Sequence, residues 1–370
     1  MAAVTGRQLV FVELKRDEFG AVRDIVGEVT QTLLVRTVYE GTSPGTIWVD
    51  DVANPRTALV RTPEGHELAG SAPEGDAAAR LRALVLEQMI PEGRERGWAF
   101  FGLGYPGEAW RAFLSDLFQG QDPVWDFSHY LRLGKPRVDW RERLPEGFEV
   151  RRVDAALLGQ DSPENIGRIR GWAEGNFGTR DAFLEGGFGF CVMEGETIAS
   201  WCLSDCVSGH RCEIGIHTDE RYRRRGLATC AAAATVEHCL GNGLTEIGWH
   251  CGSANTPSLA VAQAVGFEQV GESQYVLVAL HRADGMFVHG NQCLLRGQYA
   301  EAAEWFERGF AELASHDSGE PISRVVPDRA ARRRYHYKAA CASALAGDHA
   351  AAQGNLAKAL DYGTERWMLL

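Results

Sequence analysis

The junction where the strand-like CEIGIHT (212–218) runs into RYRRRGLATCAAAATVEHCL (221–240) constrains the fold more than any other stretch. Four arginines fall within five positions, Gly226 follows, and a run rich in small residues then reads as a helix ending at Gly241-Asn242-Gly243. The first backbone N–H groups of a helix have no intrahelical partner and carry the positive end of its dipole. A strand, a basic glycine loop and a helix start in that order aim those groups at one small volume, where an anion is expected. Gly226 and the small Ala228 let a diphosphate approach the backbone closely.

The charge of the loop stands against that of the chain, which has 370 residues and a formal net charge of -12. The arginines thus counter, at one place, a field that would otherwise repel an anion. The segment Arg94-Glu95-Arg96-Gly97-Trp98-Ala99 repeats the Arg-x-x-Gly-x-Ala pattern of Arg223, Gly226 and Ala228. There, a helix precedes and a strand follows, so no helix start faces the loop, and the match is rejected.

A chain of this length holds two or three domains. No apolar run reaches the length of a membrane span, and the opening residues lack the pattern of a secretory signal. Nine scattered cysteines with no Cys-x-x-Cys pair read as reduced core residues, which points to a cytoplasmic protein. The acidic balance disfavours nucleic acid and would suit a cationic small molecule, although net charge also serves solubility alone. Cys202, Cys206, His210 and Cys212 flank a turn at Ser208-Gly209. Their spacing fits no standard zinc motif, strand alternation accounts for them, and no metal is expected.

Three regions emerge along the chain. Residues 1–140 read as a mixed α/β domain, with short strands in 44–70, a helix over 78–90 and a strand at WAFFGL. Residues 145–282 read as strand, helix, antiparallel strands, helix, strand, helix, strand. Residues 284–370 are alanine-rich and helical, and RGQYAEAAEWFERGF and AGDHAAAQGNLAKAL recur at an offset of fifty. The repeat has the shape of a helical hairpin and resembles a tetratricopeptide repeat. Two hairpins bury little alone, so a homodimer contact or a protein partner is expected there.

On these residues the segment from about Pro145 to Leu280 resembles the GNAT superfamily of acetyl-CoA-dependent N-acetyltransferases. The matches are CEIGIHT, the Arg223–Ala228 loop, Asn255 with Ser258, and AVGF (264–267). GFGFCV, EIGIHTDERYRRRGLAT, WHC and NTPS further resemble a bacterial branch that includes the zwittermicin A self-resistance acetyltransferase. The resemblance implies an α/β (α+β) fold with a GNAT mixed sheet flanked by helices. An α/β domain, readable as a degenerate relative, would precede it, and an all-α tail would follow. It also implies that acetyl-CoA is held by the backbone of Ile216, His217 and Thr218, by Arg223, Arg224, Arg225, Gly226, Leu227, Ala228 and Thr229, and by Asn255 and Ser258.

Acetyl transfer to an amine needs a proton acceptor for the ammonium and a proton for the departing thiolate. Glu213, on the strand before the loop, lies near where several GNAT members keep such a carboxylate. The tyrosine that often serves as acid is replaced by Ala262. His250, Cys251 and Tyr275 are the substitutes, and His250 is favoured because imidazole titrates near neutrality. The expected activity is N-acetylation of a primary amine on a small molecule, an antibiotic among the options. The alternatives are a non-catalytic binding protein and an enzyme acting on a protein amine held by the repeats.

Overall fold

The structure, a computed structural model, describes residues 11–26, 33–315 and 323–363. The chain runs through β1 (Val12–Glu13), α1 (Arg23–Val26), α2 (Leu33–Glu40), β2 (Thr46–Val49), β3 (Thr57–Thr62), β4 (Gly65–Gly70) and α3 (Gly75–Ala83). It continues through α4 (Ile90–Glu95), β5 (Phe100–Gly104), α5 (Glu108–Leu117), β6 (Val124–Leu133), α6 (Trp140–Arg143), β7 (Glu149–Arg152), α7 (Ala155–Leu158), α8 (Ile166–Phe177) and α9 (Arg180–Gly186). Next come β8 (Gly189–Glu194), β9 (Thr197–Ser208), β10 (Arg211–Thr218), α10 (Leu227–Gly241), β11 (Glu246–Gly252), α11 (Thr256–Val265) and β12 (Phe267–Ala279). Four helices close the chain: α12 (Arg282–Leu295), α13 (Tyr299–Ser315), α14 (Arg329–Leu345) and α15 (His349–Asp361).

The chain divides into two compact units, one of residues 1–78, 103–110 and 126–275, the other of residues 79–102, 111–125 and 276–370. The first is built on a mixed sheet in the order β1-β2-β3-β4-β5-β12-β6-β11-β10-β9-β8-β7. The alanine run of α10 is explained by its packing: Leu227, Cys230, Ala231, Ala232 and Val236 are buried against Cys212, Ile214, Trp249 and Phe267. A second core joins Ile169, Ala173 and Phe177 of α8 to Cys191, Trp201 and Leu203 of the strands. In the N-terminal part, Val35 and Val38 of α2 pack with Ile47, Val49, Val60 and Ala69.

The second unit holds the helical hairpins. Phe287, Phe306, Leu313, Tyr335 and Ala339 form its core. Asp284, fully buried, accepts hydrogen bonds from Ser323 Oγ and from the backbone N–H groups of Arg324 (3.0 Å) and Val325 (3.1 Å), fixing the segment that leads into α14.

The α/β character, the strands of 44–70, the β8–β9–β10 run and the helical C-terminal region match the sequence reading. The elements not foreseen include α2, α5, α9 and β6. In β6, Asp126, Ser128 and His129 interrupt the apolar alternation, and the strand becomes recognisable only because β11 pairs with it. Among the described residues no helix is long and apolar enough to cross a membrane.

Candidate active site

Two neighbouring strands part company at the centre of the first unit. β10 pairs in parallel with β11 at Arg211, Cys212 and Glu213, opposite Glu246, Ile247 and Gly248. Beyond Glu213, β10 continues against β9 to Thr218, whereas β11 continues against β6 to Gly252. The parting coincides with a bulge: β9 carries Asp205 as an extra residue opposite the step from Glu213 to Ile214. A bulge bends its strand and re-aims side chains, and here Asp205 Oδ2 is brought to 2.8 Å from the Cβ position of Gly215, two residues on from Glu213. The β10 edge from Ile214 to Thr218 thereby offers main-chain groups that must find partners other than a neighbouring strand.

The expected anion loop lies at the end of that edge. Asp219 accepts from the Arg221 backbone and guanidinium, both at 3.0 Å, and from Asn165 Nδ2 at 3.0 Å, and these bonds hold its carboxyl far below the usual range. Arg221 is further tied to Glu164 at 2.7 Å, so it shapes the turn. Arg225 lies over the Phe148 ring, 4.7 Å from its centroid, and 3.9 Å from Glu194. Arg223 pairs loosely with Glu220 at 3.4 Å. Arg224 is exposed and takes a left-handed conformation (φ 64°). Gly226, also left-handed (φ 79°), caps α10, and a side chain there would meet nothing within 4 Å. The space before the first turn of Leu227, Ala228 and Thr229 is therefore open.

Among the other residues expected at the coenzyme, Ile216 packs into the main core, and His217 lies on β10 with its ring stacked on Trp201 (4.5 Å) and beside Arg168 (2.9 Å). Burial and the nearby Arg168 and Arg223 lower the His217 imidazolium. Its carbonyl accepts from Ser200 Oγ at 3.0 Å, and the same hydroxyl lies 2.8 Å from Thr218 Oγ1. Asn255 caps α11, accepting from the Ser258 N–H at 3.3 Å, and Ser258 Oγ accepts from Trp249 Nε1 at 3.1 Å. These two side chains hold the start of α11.

Glu213 and His250 come together. Glu213 Oε1 lies 3.7 Å from His250 Nδ1 and accepts from the Leu33 backbone N–H at 2.8 Å. The His250 ring stacks on Tyr130 at 4.5 Å with the planes 11° apart. Burial pushes its imidazolium down to about 4, so it is neutral at neutral pH. His250 Nε2 is buried with no hydrogen-bond partner among the described residues. Gly248 makes this packing possible, since a Cβ there would sit 2.9 Å from Glu213 Cγ and 3.3 Å from Tyr130 Cε2. Of the other acid candidates, Cys251 is buried, and the Tyr275 hydroxyl is 3.9 Å from where a Cβ on Gly252 would lie.

Three further carboxyls, unforeseen in the sequence, share the field of Glu213. Glu64 sits at the tip of the β3–β4 hairpin. It is open to solvent, yet protein crowded around it and the Glu213 charge push its carboxyl up, against the opposing influence of His250. Glu67, on β4 opposite Gly104, is pushed up to about 8 by burial and by Glu64 and Glu213. Asp205 accepts from Trp172 Nε1 at 2.8 Å, but burial, Glu64 and Glu213 hold it well above the usual range. In sequence, Glu64 and Glu67 belong to an ordinary Pro-Glu-Gly turn and an alternating strand, and nothing local signals their meeting with residues beyond 200.

Comparison with known proteins fits this geometry. Residues 23–276 match the sequence model of a family described as GNAT acetyltransferase. The chain is 26% identical over 267 residues to the uncharacterized N-acetyltransferase YdfB of Bacillus subtilis (strain 168), covering 71% of this chain and 97% of that protein. Its fold is similar to a GCN5-related N-acetyltransferase-like protein from Streptococcus suis 89/1591, with a TM-score of 0.53, 24% identity, and coverage of 70% of this chain and 98% of that one. It is also similar to a tandem GNAT protein from the clavulanic acid biosynthesis pathway, with a TM-score of 0.51, 12% identity, and coverage of 73% and 98%.

Proposed function

Because the chain belongs to the GNAT acetyltransferase family, we propose that it moves an acetyl group from acetyl-CoA to a primary amine of a small molecule. The observation that carries this reading is the parting of β10 from β11 directly before a glycine-capped helix start. The open volume at Gly226 and the first N–H groups of α10 suit a diphosphate, with the exposed Arg223, held by Glu220 at 3.4 Å, and Arg224 beside it. The Ile214–Thr218 edge suits an extended amide arm by strand-like hydrogen bonding.

When bound, acetyl-CoA supplies an activated acyl carbonyl. The chain positions the amine and moves its protons. Glu213 is the proton acceptor for the arriving ammonium. His250, neutral and 3.7 Å away, is a carrier that can take a proton and return it. The Leu33 N–H holds the Glu213 carboxylate in place, so the N-terminal half contributes directly to the geometry of the base.

Calorimetric titration of acetyl-CoA into the protein and its Gly226→Asp variant tests the donor site. The bulk and negative charge of the variant are expected to weaken binding at least about tenfold, more than 1.4 kcal/mol. Equal affinities would remove the diphosphate from this loop. Release of free coenzyme A thiol across a panel of amines then tests the transfer itself.

A further inference from the structure

We propose that the second unit carries a docking site for an acidic segment of another protein, formed where α12 and α14 lie side by side. A carboxylate of that segment sits on Arg334 and Lys338, and an apolar side chain next to it rests on Leu295 and Leu345.

Charge is sorted by helix in this unit. In a chain whose formal net charge is -12, α14 carries Arg329, Arg332, Arg333, Arg334 and Lys338 and no acid. The one acid of α12, Asp284, is buried and already engaged by Ser323, Arg324 and Val325. The glutamates of α13 are turned to other partners: Glu301 to Gln298, Glu307 to Asn355 and Glu312 to Arg282. The basic helix is thus left without acids of its own unit to neutralise it.

Its cations also divide. Arg329 points to the end of α15, donating to the Asp361 carbonyl at 3.0 Å and lying over the Tyr362 ring. Arg334 and Lys338, one turn apart, share the Tyr335 ring instead, at 5.9 and 5.0 Å from its centroid. Lys338 Nζ donates to Asn291 Oδ1 of α12 at 2.7 Å, and Asn291 Nδ2 donates to the Tyr335 hydroxyl at 3.2 Å, so the lysine is held in place. Among the described residues neither Arg334 nor Lys338 has an ion pair. Like charges at this spacing destabilise a helix, and burial with the Arg334 charge lowers the Lys338 ammonium, a cost that an arriving carboxylate relieves.

A separate feature of the same face selects a protein partner. Contacts advance together along the two helices, from Asp284 with Ser323, through Phe287 with Tyr335, to Asn291 with Lys338, so α12 and α14 run the same way. Leu295 therefore follows one turn beyond Asn291, and Leu345 two turns beyond Lys338, at one end of the face. At 63% and 59% exposure these are the two most exposed large apolar side chains among the described residues. A cationic pair leading to exposed leucines matches an acidic peptide with an apolar residue near its carboxylate. A nucleic acid would gain nothing from the leucines, and the net charge of the chain repels a long polyanion.

A displayed library of random short peptides, selected on the full-length protein, is the probe. The enriched peptides are expected to carry Asp or Glu beside a large apolar residue. The best of them, labelled and titrated by fluorescence anisotropy, should lose about tenfold in affinity toward Arg334→Gln and toward Lys338→Gln, with losses that shrink as salt rises. Leu295→Ser should lose about fivefold at every salt concentration. Arg334 and Leu295 are exposed, so their variants keep the test valid should Lys338→Gln fold poorly. Failure to enrich any sequence, enrichment of peptides without acids, or equal affinity for Arg334→Gln and the parent would each overturn the assignment. So would tighter binding of single-stranded oligodeoxythymidine than of the peptide, or self-association of the protein that Arg334→Gln abolishes, which would give the face to nucleic acid or to a second copy. Peptide binding should be level in Gly226→Asp, so this site and the acetyl-CoA reading stand or fall separately.

Discussion

Leu33 donates its backbone N–H to Glu213 Oε1 at 2.8 Å, across 180 positions of chain, so α2 of the N-terminal half is tied to a carboxyl of β10. This contact fixes the orientation of the Glu213 carboxyl. Glu213→Gln retains an oxygen for Leu33 and should fold with a nearly unchanged melting temperature. Its turnover should fall roughly a hundredfold, with activity recovering toward high pH where free amine accumulates. Parent-like turnover and pH profile would dismiss Glu213 as the base.

Gly248 offers a steric test of the same pair. A methyl at this position enters the space between Glu213 and Tyr130 and must push one of them aside. Gly248→Ala is expected to cost about 1–3 kcal/mol of stability, as overpacking does. Its kcat should fall while acetyl-CoA affinity, read by calorimetry, stays level.

Arg224 carries a prediction of opposite sign for fold and binding. A non-glycine residue at φ 64° is strained, by about 1 kcal/mol, so Arg224→Gly should hold or raise the melting temperature. The same change removes a cation beside the start of α10 and should weaken acetyl-CoA binding, more so at low salt.

Glu67 and His250 tilt the pH dependence of stability in opposite directions. The Glu67 carboxyl, faced by Glu64 and Glu213, is raised from 4.5 to about 8 in the folded protein, which therefore holds a proton the unfolded chain has lost. Stability from this group falls as pH rises through that window. His250, facing Glu213, Glu64 and the Tyr130 ring, is lowered from 6.5 to about 4, so the unfolded chain takes the extra proton. Stability from this group falls as pH drops through that window. Melting curves should show Glu67→Gln gaining on the parent toward alkaline pH and His250→Gln gaining toward acid pH. Parallel curves for parent and variants would refute these assignments.

The parts of the site written in contiguous residues were legible in the sequence. Strand, arginine loop, Gly226 and α10 follow one another in the chain, and their chemistry is local. Glu213 and His250 could be named because both strands bordering the gap were recognisable. Their 3.7 Å approach depends on register, which the gap itself sets. Glu64, Glu67 and the bulged Asp205 were invisible, because their meaning lies in which strands pair across distant segments. The roles of the four arginines were likewise hidden: Arg221 and Arg225 are spent on Asp219, Glu164 and Phe148, and only these contacts separate them from Arg223 and Arg224.

The position of β12 bears on how the chain is made. It lies between β5 and β6, and Gln274 receives the Tyr105 N–H at 3.0 Å, although some 170 residues separate the two, as their numbers show. As the chain leaves the ribosome, β5 and β6 both emerge long before the strand that joins them. Their hydrogen-bonding edges stay open until residues near 275 appear, a long-range closure of the kind that slows folding. Nascent chains arrested before β12 should be protease-sensitive and chaperone-dependent, and release of that one strand should complete the sheet in a single late step.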